Sequence, residues 1–167
     1  TTGTTLAART VDGVTLFGEY NVCVCQLKRT GDCDSVEKFN LSPPATLTWN
    51  GVGSVSQSNA PLKNSTSSVT VTGYGFVAEN DKWKLWPPSK ECGSAGQSID
   101  DRSTSSTWIV NDDKTTLSKE VIVADAGSYK VCVCDHSKNG GCDSDDKFNL
   151  KADGLVEWFN AESARLE

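Results

Sequence analysis

Apolar and polar residues alternate along this chain in runs of only a few positions. The stretch YKVCVC at 129–134 is the clearest: Tyr129, Val131 and Val133 fall on one face of an extended strand, and Lys130, Cys132 and Cys134 on the other. The valine face is the expected core side. The same period of two, broken by Gly, Pro, Asn, Asp and Ser, predicts strands over 46–49, 68–72, 82–86, 107–110, 117–123, 129–134 and 147–150. Seven short strands with turn residues between them predict an all-β protein in which two sheets pack face to face. A hydrophobic content of 37% with 23% charged residues suits such a globular fold.

The pattern occurs twice. GEYNVCVCQLKRTGDCDSVEKFNL at 18–41 aligns without a gap on GSYKVCVCDHSKNGGCDSDDKFNL at 127–150, an offset of 109 residues that carries Gly18 onto Gly127. An internal repeat of that length matches one β-sandwich domain. Residues 43–151 are therefore expected to form one complete repeat, and residues 1–42 the last three strands of a preceding one, at roughly 6–16, 20–26 and 38–41. Three such strands leave an apolar face to cover. They are the tail of a truncated domain, or pack on the complete one, or are completed by another polypeptide. Residues 152–167 read as a C-terminal extension, either a short helix, from the near-helical spacing of Leu155, Trp158, Phe159 and Glu162, or the start of a following repeat.

Before the strand at 129–134 stands Asp125-Ala-Gly127-Ser-Tyr129, a D-x-G-x-Y that resembles the corner of immunoglobulin-like sandwiches, where the tyrosine hydroxyl ties back to the backbone. One departure is informative. Where antibody-type domains place a core cysteine two residues after that tyrosine, this chain has Val131, and Val22 in the first copy, so its bridges belong on the outer face or at the ends of the sandwich. Cys134 and Cys142 flank a turn and are placed to staple a hairpin. Cys92 follows the strand at 82–86, whose end should approach the start of 129–134 in an antiparallel sheet, which pairs it with Cys132. Four cysteines allow three connectivities, and strand adjacency selects this one. The partial copy keeps Cys25 and Cys33 as a pair and leaves Cys23 unpaired or joined outside the chain.

Composition narrows the function. A net charge of −6, with sixteen Lys and Arg that form no run, excludes a nucleic-acid surface, and no apolar run approaches the ~20 residues of a membrane span. Seven cysteines favour an oxidising compartment, and Asn40 and Asn64 head glycosylation sequons, the first followed closely by Pro43. The chain starts at Thr1 and contains no Met, as a mature secreted chain or an excised fragment would.

Competing chemistry finds little support. Zinc asks for paired Cys-x-x-Cys or Cys/His spacings, and thiol-disulfide catalysts for Cys-x-x-Cys at a helix start; Cys-x-Cys with the single His136 supplies neither. Asp143, Asp145 and Asp146 lack an EF-hand pattern and align with Asp34, Val36 and Glu37, so a solvated loop is expected and no metal. His136 lies in a polar turn with no nucleophile motif near it, and neither an enzyme nor a cofactor is expected. In KWKLW at 82–86, Trp83 and Leu85 should face the core, leaving Trp86, before Pro87-Pro88, as the exposed contact for a sugar ring or an acidic partner. Trp49, Trp108 and Trp158 suggest packing. Gly73-Tyr-Gly75 reads as a bend at a strand end and has no strand-to-helix context for a phosphate loop.

VTVTGYGF at 69–76, DKWKL at 81–85, Cys92-Gly93 and GSYKVCVC at 127–134 together resemble the tandem immunoglobulin-like, disulfide-stapled repeats of large secreted or cell-surface proteins of protists. The resemblance implies an extracellular structural or adhesion module, with neighbouring repeats or subunits of the same assembly as its partners. A lectin-like glycan- or protein-binding domain using Trp86 and the Cys134–Cys142 hairpin is the second reading. A thiol-active protein at Cys23 is the third.

Overall fold

The computed structural model describes residues 18–21, 23, 31–32, 34–38, 46–99, 101–102 and 107–161, with only the backbone at 36 and 46–49. Its regular structure is almost entirely antiparallel β-sheet. The strands are β1 (Gly18–Asn21), β2 (Thr46–Trp49), β3 (Gly51–Gln57), β4 (Thr66–Tyr74), β5 (Lys82–Trp86), β6 (Ile109–Val110), β7 (Thr116–Ile122), β8 (Gly127–Cys134), β9 (Leu150–Lys151) and β10 (Val156–Trp158). A one-turn helix, α1 (His136–Asn139), and 3-10 turns at Val36–Lys38 and Asp145–Lys147 complete them.

Two sheets make the body. One has the order β3-β4-β7-β6; in the other β8 lies between β5 and the pair β9 and β10. Alternation decides which side chains meet between them. Val69, Val71, Leu117 and Val121 from the first sheet join Trp83, Leu85, Tyr129, Val131, Val133, Val156 and Trp158 from the second in one core. Burying each aliphatic side chain stabilises by about 1.5–3 kcal/mol, so this face supplies most of the driving force. The other face of β8 is covered as well. Cys132, Cys134, Trp86 and Phe148 are fully buried there and form a second, smaller core outside the sheet.

Several expectations are corrected at the strand level. Gly51–Gln57 reads as loop, because its glycines and serines carry turn propensity; it pairs instead with β4 from Gly51↔Tyr74 to Gln57↔Val69, with a bulge between Val52 and Val55. The last strand begins at Leu150, since 145–147 is a 3-10 turn. The C-terminal extension forms a strand and not a short helix: β10 pairs antiparallel with β8, Val156↔Tyr129 to Trp158↔Gly127. Val156 and Trp158 point inward while Leu155 and Phe159 are exposed, so tertiary pairing overrides the near-helical spacing.

β9 and β10 are one interrupted strand. Leu150↔Val133 and Lys151↔Cys132 hold one register and Val156↔Tyr129 another, two residues displaced. In the gap Asp153 turns aside to β3, its carbonyl accepting from Val55 N at 2.8 Å and its N–H donating to Gly53 O at 2.8 Å. Gly154, at φ 99°, permits the detour. Beyond it the side chain of Gln57 brackets Glu157, accepting from its N–H at 2.9 Å and donating to its carbonyl at 3.1 Å. The outer edge of the final strand is thereby covered.

β2 does not open the complete repeat as expected. It pairs antiparallel with β1, from Gly18↔Trp49 to Asn21↔Thr46. Adding the 109-residue offset to Gly18↔Trp49 and Tyr20↔Leu47 gives Gly127↔Trp158 and Tyr129↔Val156, which are the pairs of β8 with β10. The same strand pair is built twice.

Candidate functional site

The most elaborated region lies on the outer face of β5 and β8. Two disulfides cross it, Cys92–Cys132 with Cα atoms 5.6 Å apart and Cys134–Cys142 at 5.8 Å. They draw the segments 87–99 and 135–149 over the sheet. Trp86, expected at the surface, is therefore 0% exposed; its ring lies 5.8 Å from that of Phe148 and its indole N–H donates to Ser94 O at 3.4 Å. Its outward direction follows the strand alternation, but the clamped loops roof it. It offers no face to a ligand.

The Cys134–Cys142 turn is more ordered than a polar loop. Asp135 caps α1, its Oδ1 accepting from Ser137 N at 3.0 Å and Lys138 N at 3.4 Å, and Gly140 ends the helix at φ 68°. Burial pushes the Asp135 carboxyl up, but the Ser137 hydroxyl and Lys138 outweigh it and hold the group below the usual carboxylate range. The backbone N–H of His136 is fixed by Asp81 Oδ1 at 2.8 Å, while Asp81 Oδ2 accepts from Val77 N at 2.7 Å. Asp81 is 4% exposed, and burial raises its carboxyl despite both hydrogen bonds. At the other end of β8, Tyr129 donates from its hydroxyl to Asp125 O at 2.8 Å. Burial and then the Asp125 charge hold that phenol above its ordinary value.

The acidic residues act as ties. Asp145 accepts from Lys84 Nζ at 2.8 Å, Gly96 N at 3.0 Å and Ser98 Oγ at 3.0 Å, pinning the segment after Cys92 to the 3-10 turn. Burial opposes its charge, yet the Lys84 and Ser98 bonds prevail and its carboxyl is lowered. Asp143 pairs with Lys147 at 2.6 Å, and in the first copy Asp34 pairs with Lys38 at 2.8 Å, the same two positions 109 residues earlier. Among the described residues no three His, Cys, Asp or Glu side chains converge as a metal site would need.

A cleft of about 270 Å³ opens beside the outer edge of β5, where Ile99 N donates to Leu85 O at 2.7 Å, and is lined by Lys82, Lys84, Ser98, Asp101, Trp108 and Lys119 among others. Lys119 binds Asp101 at 2.5 Å and lies 5.0 Å over the Trp108 ring, which meets Trp83 edge-on at 5.2 Å. Lys82 is the lysine of this cleft that has no ion pair among the described residues. Sequence reasoning assigned Trp108 to packing alone. The outward positions of Lys82 and Lys84, on the same strand as Trp86, were the only signal for the cleft.

Cys23 is exposed and free among the described residues, whereas Cys25, Cys33 and Asn40 lie outside them. Asn64 is exposed in the turn before β4, at φ 62°, where a sequon is sterically accessible. No described helix is long and apolar enough to cross a membrane. Comparison with protein-family models, curated proteins and solved structures finds no match, so the functional reading rests on geometry alone.

Proposed function

We propose that this chain is a non-enzymatic, extracellular structural or adhesive module of an immunoglobulin-like tandem array, whose partners are neighbouring modules of the same kind. The observation that carries this reading is the strand pair built twice at a 109-residue offset. On it, the partial repeat ends with β2, and the complete module runs from Gly51 through Phe159, both boundaries later than those at 42 and 151 set by the ends of the repeated motif.

The sheet orders support the immunoglobulin-like assignment. Taking β3 to β8 as strands A to F and β9 with β10 as G, the sheets read A-B-E-D and G-F-C, the constant-type arrangement. The tyrosine tie at Asp125 occupies the expected corner. The cysteines depart from the antibody pattern in clamping the outer face of one sheet rather than bridging two. Two disulfides with no membrane-spanning helix among the described residues are compatible with an extracellular setting. The test is a non-reducing peptide map of the secreted chain: Cys92–Cys132 and Cys134–Cys142 peptides are expected, and recovery of all seven cysteines as free thiols sinks the reading.

The cleft with Trp108 and Lys82 favours a second reading, a glycan- or protein-binding module, now without Trp86. A glycan array without signal above background removes its glycan form.

A further inference from the structure

Only Asn50 separates the end of β2 from the start of β3. A flexible linker is several residues of Gly, Ser or Pro in no fixed conformation, and a single residue between two paired strands is the opposite case. The surroundings of Asn50 tighten it further. A β-carbon on Gly75 would lie 2.3 Å from Asn50 Oδ1, and one on Gly73 2.5 Å from Gly51 O. Neither position has room for a side chain: Gly75 is closed by Asn50, the residue that follows β2, and Gly73 by Gly51 of β3 and Phe76 within the module.

Polar contacts close the two sides of this joint. Lys138 Nζ donates to Asn50 O at 3.3 Å and is itself paired with Asp135 at 3.4 Å. Across from it burial, and then the nearby Glu19 carboxylate of β1, hold the Tyr74 phenol above its ordinary value. The space left among Asn50, Val52, Tyr74, Phe76, Asp81 and Leu150 is about 10 Å³, room for about one water at most.

We infer that the pole of the module formed by Tyr74, Gly75 and Lys138 is a socket for the end of the preceding module's last strand, so that consecutive modules are held at one fixed angle. The occupant is another copy of the same fold, arriving in cis. This rests on the tandem reading above and adds to it a rigid, lock-like joint. Asn50 is the wedge, the absent side chain of Gly75 makes the slot, Lys138 is a polar tie to Asn50, and Glu19 lies near Tyr74 on the β1 side.

Residual dipolar couplings of the whole chain, labelled with ¹⁵N and weakly aligned, test it. One alignment tensor is expected to fit the amides of β1 and β2 together with those of β3 to β10. Gly75→Ala should abolish that shared tensor while the core amides of Val121 and Val131 keep their chemical shifts. Because Gly75 has φ 83° and its replacement strains the turn as well, the surface double variant Glu19→Ala/Lys138→Ala serves beside it and should also lose the common fit. Separate tensors in the unaltered chain, with cross-strand contacts between Tyr20 and Leu47 still observed, overturn the fixed joint and leave the repeat reading standing. Absence of those contacts overturns both. A common tensor that survives in both variants overturns the socket.

Discussion

Replacing Trp86 with alanine discriminates between the two roles that its position in KWKLW suggests. An indole buries about 150–250 Å². Since Trp86 is fully buried, about 25 cal/mol per Å² gives a loss of roughly 4–6 kcal/mol, an upper figure because the unfolded chain already hides part of that area. Measured aromatic-to-alanine changes in cores cluster at about 3–5 kcal/mol. Both values are a large share of the ~5–15 kcal/mol that holds a domain together. Urea unfolding followed by far-ultraviolet circular dichroism, with disulfides intact, should show the midpoint fall without a change in slope. Trp86→Phe keeps a ring against Phe148 and gives up the bond to Ser94 O, so its loss should stay near 1–2 kcal/mol. As a control, Ile109→Ser alters a side chain that is 62% exposed and should stay within about 0.5 kcal/mol. A loss below about 1 kcal/mol for Trp86→Ala would refute the buried outer core and return Trp86 to the surface.

The other predictions concern the ties around that core. Removing Cys92–Cys132, which spans 40 residues, should cost about 4 kcal/mol by chain entropy, and removing Cys134–Cys142, which spans 8, about 2.5 kcal/mol; thermal unfolding of the paired serine variants checks the order. Tyr129→Phe should destabilise by about 1–3 kcal/mol, because the Asp125 carbonyl loses its donor in a half-buried corner, and the same unfolding assay reads it. Asp145, whose folded pKa is lowered, contributes stability that is present above its unfolded value of about 3.9 and is lost as pH falls through the folded value. Asp145→Asn should therefore flatten the acid limb of a plot of midpoint against pH. Asp81 has the opposite sign: its raised pKa makes its charge costly at neutral pH, and acid relieves that cost.

The legible features were those fixed by alternation over short range. Val131, Val133, Trp83 and Leu85 face the common core because a strand has period two, and the same rule placed Cys132 and Cys134 on the opposite face. Pairing by strand adjacency followed, since Lys84 stands opposite Cys132 and brings the segment after Trp86 within reach of it. What escaped was set by distant partners. GVGSVSQ has weak strand propensity and becomes a strand because β4 on one side and Asp153 on the other satisfy its backbone. Outward direction made Trp86 look wet, whereas the disulfides, which act through loops far along the chain, made that face dry. The match of TLTW to LVEW escaped for a related reason: the two share little beyond the tryptophan, and only the paired registers disclose that they are equivalent.

Those registers bear on how modules would follow one another. β3 is the first strand of the module and β9 with β10 the last, and the bridges that join Ser54 of β3 to Asp153, and Leu62 after β3 to Phe159 just past β10, are parallel. The chain therefore enters at the end where Gly51 meets β2 and leaves at the opposite end, past Trp158. Hairpin neighbours would instead bring it back to its starting end and fold successive modules on top of each other. From Leu150 to Phe159 the final strand advances about 30 Å at ~3.3 Å per residue, slightly less for its bulge. An array of such modules, joined through one residue as at Asn50, would lengthen by about that much for every 109 residues. In the proposed array, parallel outer strands would place entry and exit at opposite ends of each module, and the joint at Asn50 and Gly75 would set the angle between neighbours.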